Sequence, residues 1–312
     1  MARYLLRRFF FLLFILLCVT IVTFSLMHVV PGDAAQIIAE KIHGQEVSSQ
    51  TVELVRREMG LDQPVYLQYL HWLGGIIRGD LGNSFRTGLP VWEEITRRLP
   101  ATIELALAAM LVSLVIAIPV GIISAVKRYS LLDNAGMVGA MVGVSMPNFW
   151  LGLLLILLFS LHLDWFPVFG RDGLKSLVLP AVTLGTGLAA ITTRLIRSSI
   201  LEVLQQDYVR TARAKGLTEG PVVTHHVLKN SFIPVVTVVG LQFGALLEGA
   251  VVVEVIFTWP GIGRLLYDSI FARDYPVIQG CVFFIAMMYV TVNLLVDLSY
   301  AFLDPRIRYE GK

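Results

Sequence analysis

The chain of 312 residues is 56% hydrophobic and 15% charged, with a formal net charge of +2 and a mean hydropathy of +0.72. That balance belongs to proteins that cross a membrane several times, and it excludes a soluble domain folded around one core. The small charge excess gives no basis for a nucleic-acid partner.

The first apolar span runs from Phe9 to Val30, behind Arg3, Arg7 and Arg8. It is too long for a signal peptide and lacks a small-residue cleavage site, so 1–30 is expected to stay as a signal anchor. Residues 31–100 carry helical signals of their own. Ser48 and Ser49 precede a helical pattern from Val52 to Met59, and a second apolar pattern runs from Val65 to Ile77. A small packed extracytoplasmic cap is expected, the alternative being amphipathic helices lying on the membrane surface. Gly74, Gly75, Gly79 and Gly82 mark tight turns rather than a phosphate cradle.

A helix needs roughly 20 apolar residues to cross the hydrocarbon layer. Six stretches meet that length: Phe9 to Val30, Ala101 to Val126, Asn134 to Leu163, Leu177 to Ile196, Phe232 to Phe257 and Val277 to Leu303. Pro147 and Pro180 interrupt the third and fourth. The fold class is therefore all-α: a polytopic membrane protein with an extracytoplasmic insert after the first of six helices, a five-helix core over 101–303 and a tail at 304–312. With the amino terminus inside, the inner segments hold 14 Lys and Arg and the short outer loops only 4, so both termini are expected in the cytoplasm. Cys18 and Cys281 fall inside spans and read as inert thiols.

Between the fourth and fifth spans lies a basic island from Asp207 to Pro234. Arg210, Arg213 and Lys215 lie within about one turn of each other, with Val209, Ala212 and Leu217 as an apolar complement. Gly216 is placed to end a helix, Thr218 to open a second, and Pro221 to sit in that helix's first turn. Two short helices joined at a glycine are expected.

The run Arg210-Thr211-Ala212-Arg213-Ala214-Lys215-Gly216 resembles the coupling loop of ABC importer permeases, whose Glu-Ala-Ala-x-x-x-Gly motif forms a helix–turn–helix seated in a groove of the ATPase. Ala212 and Gly216 keep that motif, while Arg210 replaces the glutamate and Thr211 the first alanine. The Thr211 to Gly216 run is similar to the variant of the dipeptide, oligopeptide and nickel importer permeases. Further blocks match in family order: Arg7-Arg8, His28 to Asp33, Met59 to Pro64, Gly79 to Gly82, Ser145 to Trp150, Trp259 to Arg264, Arg273 to Pro276 and Asp304 to Arg308.

The resemblance implies a permease subunit of a binding-protein-dependent importer, working by alternating access. Its expected partners are a second homologous permease, two ATPase subunits, an extracytoplasmic substrate-binding protein and membrane lipid. ATP and Mg would be bound by the ATPases, with no cofactor in this chain. Arg210, Thr211, Ala212, Arg213, Lys215, Gly216 and Leu217 would meet the ATPase, and His225 and His226 would help seat the loop. Peptides and nickel, free or chelated, both stay open as substrate.

The chain contains no Gly-x-x-x-x-Gly-Lys-Ser/Thr sequence, so ATP hydrolysis is expected on another polypeptide. Gly-x-Ser-x-Gly, His-Glu-x-x-His and Cys-x-x-Cys are missing too, which leaves neither a catalytic nor a metal site to assign. Polar groups within spans are costly and thus candidates for the pathway. Along the fifth span Gln242 lies about 15 Å in, Glu248 about 24 Å and Glu254 about 33 Å. Successive six-residue steps rotate by about 240°, so the three share no stripe.

Gln242 is expected to face the path, Glu248 the path or a neighbouring helix, and Glu254 the outer gate or an ion pair with Arg264 or Arg273. Pro147 and Asn148 are expected to form a kink lining the path. Glu104, Asn293 and Asp297 read as structural, as do Gly139-x-x-x-Gly143 and Gly240-x-x-x-Gly244. The rival reading is an ion-coupled secondary transporter or channel, in which the intramembrane acids would carry protons or ions.

Overall fold

The computed structural model describes residues 2–29, 34–44 and 47–303. The block at 30–33 and the tail 304–312 lie outside the described residues. Fourteen α-helices follow in chain order: α1 (Ala2–Val29), α2 (Ala34–His43), α3 (Ser49–Glu58), α4 (Val65–Ile77), α5 (Val91–Val126), α6 (Leu131–Ser145), α7 (Asn148–Leu155), α8 (Leu174–Val203), α9 (Asp207–Ala214), α10 (Glu219–Pro221), α11 (Leu228–Gly249), α12 (Val251–Ile256), α13 (Ile262–Phe271) and α14 (Tyr275–Leu303). Two π-helical segments, Ile156–His162 and Val222–Val227, follow α7 and α10. Among the described residues the one β pairing is an isolated bridge between Asn83 and Pro90.

Two compact units emerge: Met1–Thr102 with Pro260–Val290, and Ile103–Trp259 with Thr291–Lys312. In the first, α2 and α3 of the insert pack on each other. Ser48 caps α3 by accepting from the Thr51 N–H. Ile38 and Ala39 of α2 then bury against Val55 of α3, with Leu61 and Phe85 around them. A second core joins Leu81, Val91 and Ile95 to Ile262, Leu265, Val277, Cys281 and Phe284. The buried Asp274 carboxylate accepts from Ser84 Oγ at 2.5 Å and from the N–H groups of Phe85 and Arg86 at 3.0 and 3.2 Å. Three donors on one carboxylate pin the loop ahead of α5 to the turn ahead of α14.

In the second unit α8 is the spine. It packs against α6, α7, α11 and α12, and its buried face is made of small and hydroxyl residues, including Thr183, Gly185, Ala189, Ala190, Thr192 and Thr193. Such residues let helix backbones approach closely in the absence of water. A Cβ on Gly185 would stand 2.7 Å from the Ala109 carbonyl oxygen of α5, and one on Gly143 of α6 would stand 3.3 Å from Ala190. Gly139, paired with Gly143 in the sequence motif, faces open space instead.

Five helices are long and apolar enough to cross a membrane, and a sixth crossing requires the bent pair Leu131–Ser145 with Asn148–His162 to count as one. The two prolines flagged in the sequence behave differently. At Pro147 the preceding residue, Met146, is driven extended (φ −87°, ψ 120°), and the chain bends by 104°. At Pro180 the helix continues unbroken; the missing N–H deprives one carbonyl, that of Ser176 one turn back, of its helical donor, and farther along Thr183 Oγ1 donates to Leu179 O at 2.8 Å and Thr186 Oγ1 to Val182 O.

The boundaries expected near 101 and 232 also move. α5 already begins at Val91 and runs through Pro100, and the fifth span begins at Glu219. Both cysteines are free.

Substituting Gly185 by Val should cost about 1–3 kcal/mol by overpacking α5 against α8. Gly139→Ala should hold or raise stability, by at most about 1 kcal/mol of helix propensity. Thermal midpoints of the purified variants in one detergent check both.

Candidate functional site

The basic island folds as two helical pieces around a glycine. Asp207 occupies the first turn of α9, where a negative charge suits the helix N-terminus. Val209 and Ala212, three apart, are buried at 0% and 6% exposure. They join a core with Ile196 and Ile200 of α8 and with Val222 and Val227 of the π segment. The opposite face is open, presenting Arg210, Thr211, Arg213, Lys215 and Leu217.

α9 stops by a Schellman arrangement. The Gly216 N–H donates to Arg213 O at 2.9 Å and the Leu217 N–H to Ala212 O at 3.4 Å. Gly216 takes φ +83°, a left-handed conformation that a side chain resists.

Across this turn Arg213 grips Glu219 with two bonds, Nε at 2.8 Å and Nη2 at 3.1 Å. Planar bidentate pairing fixes orientation as well as distance. Asn230 Nδ2 donates to the Tyr208 hydroxyl at 3.1 Å, which ties α9 to α11. Arg210 lies 3.4 Å from Asp207 on the exposed side.

The second piece differs from the expected separate helix. Thr218 has the extended backbone of an N-cap but its side chain makes no capping bond. α10 flows through the π segment into α11, because Pro221 falls where no helical N–H bond is needed. His225 is exposed, with Nδ1 2.9 Å from Thr224 Oγ1, and His226 is half-buried.

One polar anchor escaped the sequence reading. Asp133, 2% exposed in the first turn of α6, takes two bonds from Arg197 of α8, at 2.7 and 2.8 Å, and a third from the Tyr129 N–H at 2.9 Å. Arg197 follows Ile196 directly, so the pair ties the turn before α6 to the part of α8 that carries α9. Ser130 caps α6 by accepting from the Asp133 N–H, and a serine three residues ahead of an acid is the signal that was there to be found.

The pathway candidates separate. Pro147 and Asn148 stand at the bend, both exposed, and Asn148 borders a cavity of about 240 Å³ together with Gly143, Met146, Gly187, Leu188 and Ala245. The Asn148 Oδ1 atom would lie 3.6 Å from a Cβ on Gly187. Gln242 is not among the residues bordering that cavity. It is 7% exposed, and its Oε1 accepts from Thr192 Oγ1 of α8 at 3.0 Å, while its Nε2 is buried without a partner.

The Glu248 side chain is outside the described residues. Glu254 belongs to the separate helix α12 and is fully buried, with its carbonyl accepting from the Trp259 N–H at 2.8 Å. Glu104, given a structural role in the sequence, accepts from Arg171 Nε at 2.8 Å, and that guanidinium stands 5.9 Å over the Trp259 ring.

Two family models match. Residues 117–309 match the binding-protein-dependent transport system inner membrane component, and residues 1–106 match its N-terminal region. The chain is 42% identical to the dipeptide transport system permease protein DppB of Escherichia coli K12, over 99% of this chain and 100% of the relative. It is 44% identical, over the same shares, to DppB of Alkalihalophilus pseudofirmus and to the glutathione transport system permease protein GsiC of Salmonella typhimurium.

Among solved structures, the MetNI methionine ABC transporter in an inward-facing conformation matches with a TM-score of 0.57 at 17% identity, over 67% of this chain and 95% of that chain. An amino acid ABC transporter matches with a TM-score of 0.55 at 17% identity, over 68% and 94%. These two share the fold of the helical core. The family models and the full-length identities together establish that the chain belongs to the membrane-spanning components of binding-protein-dependent transport systems.

Proposed function

We propose that this chain is a permease subunit of an ATP-driven importer of short peptides, docked through the α9–Gly216–α10 turn onto a separate ATPase. The observation that carries the reading is the two-sided character of that turn. Its apolar side, Val209 and Ala212, is buried in a core shared with Val222 and Val227 of the π segment and with Ile196 and Ile200 of α8, while its basic side, Arg210, Arg213 and Lys215, is left exposed. A lever needs both a rigid attachment and a free contact surface.

In this scheme the turn lies on the cytoplasmic face with both termini, in line with the excess of Lys and Arg in the segments assigned inside. Closure of two partner ATPases around ATP and Mg displaces α9. Because Val209 and Ala212 share a buried core with Val222 and Val227 of the π segment and with Ile196 and Ile200 of α8, the displacement passes into α11 and α8, and the helices seated on α8 rearrange to expose the path to alternate sides. A second homologous permease completes the path, and an extracytoplasmic binding protein delivers the substrate.

Short peptides are preferred over nickel because the dipeptide and glutathione permeases align with the chain end to end at 42–44% identity. The cavity beside Asn148 offers an amide among apolar walls, a chemistry suited to weak, transient contact with a peptide backbone.

Gly216→Val forces a β-branched residue into a left-handed conformation, at a local cost of about 1–2 kcal/mol or more. Membrane level and assembly should be retained while peptide-stimulated ATP hydrolysis in the reconstituted transporter collapses; Gly216→Asn, better tolerated at positive φ, should keep part of it. Wild-type coupling in Gly216→Val would refute the lever. Asn148→Ala should reduce peptide uptake about three- to tenfold, the worth of one neutral hydrogen bond of about 0.5–1.5 kcal/mol, with basal ATPase unchanged. Unaltered uptake at normal membrane level would remove Asn148 from the path, and stimulation by nickel salts but not by dipeptides would overturn the substrate class.

A further inference from the structure

A cavity of about 530 Å³ opens between one face of α1, carrying Cys18, Val19, Val22 and Thr23, and the Ile278 and Val282 face of α14. It is an apolar slot. Its one hydroxyl on α1, that of Thr23, is turned back onto Val19 O at 2.7 Å, so the methyl group is left to face the slot. Helix α1 is held on its other side by α4, through a hydrogen bond of 3.0 Å between Thr20 and Tyr69 and through stacking of Phe24 on Tyr69 and Trp72. That attachment keeps α1 in place beside the slot.

At the Met27 end the slot meets a second cavity, of about 510 Å³, the two sharing Met27 and Tyr275 as walls. Its lining is mixed, adding Arg56, Gln63, His71 and Gln279 to apolar walls such as Phe24, Trp72 and Phe85. Gln279 is only 5% exposed, and the Gln63 Oε1 atom is buried without a partner. An unsatisfied buried amide oxygen is costly and calls for a hydroxyl or other donor to complete it. Arg273 stands in the slot wall beside Tyr275 and adds a second cation near the junction.

We infer that the joined cavities bind one anionic phospholipid, its acyl chain in the slot between α1 and α14 and its phosphate headgroup in the chamber lined by Arg56, His71 and Gln279. An apolar slot along two membrane-spanning helices, ending in a chamber with a cation for a phosphate and an unpaired amide oxygen for a headgroup hydroxyl, has the polarity profile of a phosphatidylglycerol-like lipid. A soluble peptide would leave the slot dry and empty. Arg56 also faces Glu53 at 3.4 Å on the exposed side of α3, a pair weak enough in solvent to yield to a phosphate.

The test uses the assembled transporter purified from membranes, exchanged into nanodiscs with phosphatidylglycerol carrying a photoreactive group on the acyl chain. Adducts mapped by mass spectrometry should concentrate at 18–27 and 278–282. An even spread over exposed faces such as that of Leu107, Leu111 and Val115 would overturn the site, whether because lipid binds without preference or because a neighbouring subunit covers the slot. Val22→Trp, which fills the slot, should remove these adducts. Arg56→Ala should cut the preference for phosphatidylglycerol over phosphatidylcholine about tenfold, the loss of one charge-assisted hydrogen bond. No preference in the wild type would remove the headgroup assignment. Displacement by dipeptides would make the chamber a substrate site, and displacement by glycerol phosphate would make it a simple phosphate site; either result refutes the lipid.

Discussion

The arrangement depends on one small apolar core, in which Val209 and Ala212 are buried together with Val222 and Val227 of the π segment and Ile196 and Ile200 of α8. Without it α9 would be a charged helix of eight residues, too short to persist alone in water. With it the basic face becomes a fixed surface. Val222 and Val227 complete the contact from the far side of the Gly216 turn, and the Arg213 to Glu219 clamp sets the angle between the two pieces. The apolar contact supplies the attachment, and the polar clamp supplies the geometry.

The same logic runs up α8. Its buried face replaces bulk with proximity: Gly185 lies under the α5 backbone, and Ala190 under Gly143 of α6. Close-packed interfaces of this kind have few intermediate positions, so a displacement at one end is resolved as a rigid shift rather than absorbed locally. Asp133 and Arg197 add a charged pin between the turn before α6 and the end of α8 that carries α9. Removing either partner would leave the buried Asp133 carboxylate or the half-buried Arg197 guanidinium uncompensated, which suits a joint that must transmit force.

Prolines illustrate where local chemistry stops being decisive. Pro147 and Pro180 carry the same intrinsic penalty, yet the chain bends by 104° at the first and runs straight through the second. The surroundings differ. Residues 146–148 lie at a partly exposed break beside a cavity, whereas Pro180 is buried in the helix that packs against α6, α7, α11 and α12, and its missing N–H affects only the Ser176 carbonyl near that helix's start. Gln242 teaches a related lesson. Depth placed it near mid-membrane, but only packing shows that Thr192 claims its oxygen.

The sequence by itself determined the all-α membrane-spanning class, because apolar runs of about 20 residues have few other uses. It also determined the turn between α9 and α10, because glycine at a left-handed position and apolar residues three apart are local signals. Helices α3 and α4 were legible for the same reason, whereas α2 was not read from the sequence. What only the tertiary structure decided is which polar groups meet: Asp133 with Arg197, 64 residues apart, Glu104 with Arg171, 67 apart, and Asp274 with Ser84, 190 apart. Pairing at such separations leaves no periodicity in the chain, since it is set by where neighbouring helices come to rest, and that is fixed by packing over the whole of a unit rather than by any local run of residues.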